Sequence, residues 1–174
     1  MDDLKKKYGN DLRIAYKMLV VHPQAMSSAL AFCAAAKQNK AMQVDALIWE
    51  KSYKARQFDP DQCWTSDNGC PLLNSIAQEA QLDTNKFKAD MKGCQQIVQN
   101  DMKDVQRLGV GATPAFFING RYISGAVPLD NFVTVIDEEL KKANERIQQG
   151  TPQAQYYQQW VLDKGLKTLE TPKG

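Results

Sequence analysis

The chain has no Cys-x-x-Cys pair, a single histidine, no long apolar run and no extended block of one charge. Each absence removes a class of function. Without an apolar stretch of about 20 residues, no segment is suited to span a bilayer. With 22 basic residues against 20 acidic ones the formal net charge is only +2, and the one basic cluster, Lys5-Lys6-Lys7, reads as a solvated helix face. Nucleic acid is therefore not an expected partner. Met1-Asp2-Asp3-Leu4-Lys5 is acidic where a secretory signal is first basic and then apolar, so no export signal is expected in this chain. His22, just before Pro23, is expected to be a turn residue rather than a catalyst.

Four cysteines are present: Cys33, Cys63, Cys70 and Cys94. An even number fits one or two disulfides and an oxidising compartment. Four cysteines allow three full pairings, and sequence alone does not choose among them. Their spacings lack the two-residue knuckles of a four-cysteine zinc site, so no metal is expected. Cys63 and Cys70 flank a polar loop, with Cys70 in the cap position before Pro71, where a thiol has its pKa lowered. This pair is expected to staple the loop, and a surrogate redox pair is the alternative. Cys94, which follows Gly93, is another partner for either. Cys33 lies in an alanine-rich apolar stretch and is expected to be a buried, inert thiol.

Along the chain, residues 2–8 read as the end of a charged helix, stopped at Gly9-Asn10. Leu12, Ile14, Tyr16, Met18 and Val20 alternate with other residues at a period of two, which predicts a strand over 12–21 with one buried face. Helices are predicted over 25–37 and 44–56, with a polar loop over 57–70. Pro71 is placed to open the next helix, and Asp83 to cap another that carries Phe87, Met91, Cys94 and Val98 in a stripe. Gly93 is a break point in that stripe, and a last helical segment covers 101–108. Residues 115–119 read as an apolar strand, Asn119-Gly120 as a hairpin turn, and residues 121–124 as the return strand. A helix runs from Pro128 to about 148, and Thr151-Pro152 restarts one with Tyr156, Tyr157, Trp160 and Val161 on its apolar face.

The order strand, several helices, Gly111-Ala112-Thr113-Pro114, strand, Asn119-Gly120, strand, helix resembles the DsbA-like thiol–disulfide oxidoreductases of the thioredoxin superfamily. The resemblance runs over residues 2–148 and is most specific over 109–125. It implies an α/β thioredoxin-like fold with an inserted helical domain. The thioredoxin-like part would comprise 1–21 and 108–149, the insertion 22–107, and a C-terminal helical tail 150–174. It also implies that Thr113 and Pro114 form a cis-proline substrate loop. An X-Pro bond loses only roughly 0.5–1 kcal/mol in the cis form, so packing can hold it there. That geometry turns the backbone N–H and C=O of Thr113 outward, where an extended substrate can pair with them.

The chain departs from the family's pattern in one respect. The family's Cys-x-x-Cys starts a helix whose last turns correspond here to residues 2–8, so no catalytic cysteine can be assigned in this chain. The family's central strand also has no counterpart. The gap is expected to be filled by a second copy, by an element exchanged between copies, or by a region preceding the given sequence. The tail at 150–170 is one candidate contact for this. Packing on its own domain is the other reading.

The resemblance thus implies a protein disulfide oxidoreductase domain, inactive without Cys-x-x-Cys, acting on cysteine-bearing protein or peptide substrates. It uses no dissociable cofactor and belongs in a periplasmic or otherwise exported protein. A redox-inactive module that binds polypeptides or mediates assembly is the alternative. A redox protein using Cys63 and Cys70 is a further one.

Overall fold

A computed structural model describes residues 1–165 of the chain. They form two compact units, one from Met1–Tyr16 together with the chain from Gln106 onward, the other from Lys17–Val105.

In the first unit, α1 (Asp2–Tyr8) and α7 (Leu129–Gln148) supply the buried residues Leu4, Tyr8, Phe132 and Ile136. The hairpin of β1 (Ala115–Ile118) and β2 (Arg121–Ser124) is antiparallel, with Ala115 opposite Ser124 and Ile118 opposite Arg121. Its period-two alternation sends Phe116, Ile118 and Ile123 to that core. Phe116 meets Phe132 edge to face at 4.8 Å. Phe117 and Tyr122 lie on the opposite face, paired at 5.1 Å and both exposed. The turn takes φ of +47° at Asn119 and +92° at Gly120. Two successive positive values match the twist of the flanking strands, and Asn-Gly tolerates them best. After α7 the chain makes a short turn at Gln153–Gln155 and a wide helical turn at Tyr157–Asp163. Of the tail expected over 150–174, residues 166–174 lie outside the described residues.

The second unit is helical: α2 (Met26–Ala36), α3 (Ala41–Ile48), α4 (Pro71–Glu79), α5 (Thr84–Gly93) and most of α6 (Gln95–Arg107). Leu30, Val44, Ile76, Phe87, Met91 and Val98 fill its core, each nearly or fully inaccessible. Local signals set the helix ends. Pro71 stands at the start of α4, where its missing N–H costs no hydrogen bond. Asp83 caps α5 by accepting the backbone N–H of Lys86 at 3.0 Å. Gly93 ends α5, and residues 95–107 then run as one helix. The helix expected over 44–56 changes character at Trp49–Lys54, where it widens into a π-turn.

The strand expected over 12–21 does not form. No residue there joins a ladder; among the described residues the one sheet is the β1–β2 hairpin. The alternating residues serve two cores instead of one sheet face: Leu12 packs in the first unit, Met18 and Val20 in the second. Asp101, buried, accepts the backbone N–H of Met18 at 3.1 Å, where a neighbouring strand would otherwise have been needed. Its other oxygen lies 2.8 Å from the ammonium of Lys17. That hydrogen bond and the one to Asp104 push the Lys17 pKa up.

Candidate functional site

The loop ahead of the hairpin is built from its two ends. Gly109, at φ +77°, ends the α6 region, and the buried Val110 anchors the start of the loop. At the other end Ala115 is held in register with Ser124. Gly125, at φ +79°, donates its N–H to the carbonyl of Pro114 at 2.9 Å. Between these anchors Gly111, Ala112, Thr113 and Pro114 are exposed, and the Thr113-Pro114 peptide bond is cis. The backbone N–H and C=O of Thr113 make no backbone hydrogen bond among the described residues. The arrangement is an accessible stretch of unpaired backbone leading directly into a strand.

All four cysteines lie in the helical unit and all are in disulfides, with no free thiol. Cys63 and Cys70 are joined across the polar loop, with their Cα atoms 4.9 Å apart. Cys33 is not the inert thiol expected from its apolar surroundings. It is bonded to Cys94, whose side chain is fully buried, with Cα atoms 6.1 Å apart. The Cys33–Cys94 pairing has a simple geometric cause. Cys94 sits at the junction of α5 and α6, α5 packs on α2, and Cys33 is on α2.

Asp59 is a residue that sequence reasoning missed. Its two carboxylate oxygens accept the backbone N–H groups of Leu72 and Leu73 at 2.8 and 3.0 Å, capping α4 from a distant position in the chain. Asp59 also forms the one group of potential metal ligands among the described residues, with the sulfurs of Cys63 and Cys70 within 4.8 Å. In the disulfide form those sulfurs are not thiolates, and the carboxylate is already committed to the helix end. The group therefore acts as a structural corner.

His22 precedes a short turn at Pro23–Ala25 and accepts the N–H of Ala25 at 2.9 Å through its backbone carbonyl. Lys5, Lys6 and Lys7 are exposed on α1. Among the described residues, no helix is long and apolar enough to cross a membrane.

Residues 1–138 match the family described as thioredoxin. Among curated proteins, the chain is similar to a Na(+)/H(+) antiporter NhaA of Herminiimonas arsenicoxydans. The two are 27% identical over 138 residues, which cover 78% of this chain and 20% of that protein. The chain thus spans about a fifth of the length of that curated relative. No solved structure matches the chain.

Proposed function

We propose, because the chain belongs to the thioredoxin family, that its exposed loop at Thr113-Pro114 docks an extended, cysteine-bearing polypeptide in the manner of a DsbA-like thiol–disulfide oxidoreductase domain. The chain is a thioredoxin-like α/β domain, mostly helical, with a small two-stranded sheet, a helical insertion and two cysteine pairs. The observation that carries the proposal is the unpaired Thr113 backbone at the entrance to β1. An incoming strand pairs with such groups and gains affinity from the main chain, with little dependence on substrate sequence. The exposed rings of Phe117 and Tyr122 extend the same strand-like surface with apolar contact.

Disulfide exchange itself needs a reactive cysteine pair near the docked strand. This sequence holds no Cys-x-x-Cys, so the chain alone acts as the binding part of such a system. That places it nearest to a polypeptide-binding module of the same fold. Two disulfides favour an oxidising compartment, periplasmic or otherwise exported. The open edges of the two-stranded sheet also suit pairing with a second copy, directly or by exchange of an element. Solution mass reports on that association. Ion transport, named for the similar antiporter, is not carried over, because the chain spans only a fifth of that protein.

The test is a titration of isotopically labelled protein with an extended cysteine-containing peptide. Backbone resonances of residues 111–117 are expected to move first and furthest. Binding that leaves them unmoved refutes the docking loop. Insulin reduction is expected to stay at the level of the reductant alone. Substantial turnover would instead overturn the reading of the chain as a binding part and assign redox activity to its own disulfides.

A further inference from the structure

The loop closed by Cys63 and Cys70 and one face of α5 enclose a groove of about 300 Å³ within the helical unit. Trp64, Asp67, Gly69, Asn74, Lys88 and Lys92 line it. Two polar atoms of these lining residues are buried without a hydrogen-bond partner: Nε1 of Trp64, a donor, and Oδ1 of Asn74, an acceptor. Buried polar groups are ordinarily satisfied, so an orphan donor and an orphan acceptor in one groove point to a ligand that presents both complements.

The charges agree. Lys88 and Lys92 stand one turn apart on α5, both exposed, and neither forms an ion pair among the described residues. Like charges at this spacing oppose the helix, and an anion between them removes that cost. Gly69, at φ +65°, is one of the lining residues. A Cβ there would lie 3.1 Å from Nδ2 of Asn74 and 3.8 Å from Cε of Lys88, so the amide, the lysine stem and the loop backbone converge on one point.

We propose that this groove binds a carboxylate with an amide N–H beside it, the chemistry shared by an N-acyl amino acid and the C-terminus of a polypeptide. The carboxylate is held by the ammonium groups of Lys88 and Lys92 and by the indole N–H of Trp64. The neighbouring amide N–H donates to Oδ1 of Asn74, and Met91 offers an apolar wall to the attached side chain. Asp67, exposed at the rim, disfavours a second negative charge and selects a monoanion. A groove near 300 Å³ is at the small end of ligand sites and suits one or two residues.

The test tracks the indole N–H resonance of Trp64, assigned with Trp64→Phe, during titration with three probes. These are N-acetylglycine, a pentapeptide with a free C-terminus, and the same peptide amidated. Both carboxylates are expected to shift the resonance, and the amide to bind at least about tenfold more weakly. Lys88→Gln combined with Lys92→Gln is expected to weaken both carboxylates by about tenfold or more. These side chains are exposed, so an unchanged backbone spectrum verifies the fold. A pentapeptide that binds more tightly than N-acetylglycine identifies a polypeptide end as the source, and equal binding identifies a free acyl amino acid. An indole resonance unmoved by either carboxylate at about 10 mM overturns the proposal. So does equal binding of the amidated peptide, or full affinity in the double lysine variant.

Discussion

Tyr8 of α1 donates its phenol to the carboxylate of Asp137 on α7 at 2.6 Å, joining two helices that are far apart in the chain. The same hydroxyl lies 3.3 Å from the carbonyl of Val133. Removing it leaves the ring in the core and takes away only the polar tie. Tyr8→Phe is therefore expected to lower stability by about 1–2 kcal/mol in urea unfolding, without changing the slope of the transition. A loss below a few tenths of that would show that the tie is not holding the helices.

The phenol's pKa is pushed from 10.0 up to about 12, first by burial, then by its hydrogen bond to Asp137 and the negative charge there. The folded state therefore holds the proton more tightly than the unfolded chain does. Its contribution is complete below the unfolded value near 10 and is lost as pH rises towards 12. Lys17, also raised, loses its contribution in the same direction. The informative measurement is thus the difference between wild type and Tyr8→Phe in urea midpoints across this range. That difference is expected to shrink as pH rises. A constant difference would rule out the linkage.

The two disulfides close very different lengths of chain, with sequence separations of 61 for Cys33–Cys94 and 7 for Cys63–Cys70. Chain entropy alone makes them worth about 4 and about 2.5 kcal/mol respectively. Replacing each pair by alanine is expected to destabilise in that order. A larger loss from the short loop would mean that its contacts, rather than its closure, dominate.

Asp59 satisfies two otherwise orphaned N–H groups at the start of α4. Asp59→Ala is expected to cost about 1–2 kcal/mol, read from the thermal midpoint. Asp59→Asn, which keeps one acceptor oxygen, is expected to cost less. Equal losses would show that the single acceptor oxygen kept by Asn contributes nothing on its own.

Features carried by neighbouring residues were legible in the sequence. The Pro71 helix start, the Asp83 cap and the Asn119-Gly120 turn each depend on local backbone preferences, and each stands where those preferences put it. The thioredoxin-like fold was legible through the motif around Thr113-Pro114 and the order of elements about it. What depends on distant partners was not. The alternation at Leu12–Val20 matches a strand, but a strand exists only if another lies beside it; here the side chains divide between two cores. Cys33 sat in an apolar context that fits a thiol and a disulfide equally, and only the packing of α2 on α5 brings Cys94 to it. Asp59 reaches a helix 13 residues further on, beyond any local capping pattern. The groove beside Trp64 had faint signals in advance: an indole inside a polar loop, and two lysines one turn apart.

The Cys33–Cys94 bond also sets how the chain responds to tension. Because Cys63 and Cys70 lie between its ends, the short disulfide is nested inside the long one. A chain pulled from its termini transmits force through the outer bridge and leaves the whole enclosed loop slack, even when everything around it has unravelled. Cutting the inner bridge alone adds no extension. Cutting the outer one releases its 61-residue separation, roughly 200 Å of contour less whatever the inner bridge still retains. The groove at Trp64 therefore sits in a mechanically sheltered segment.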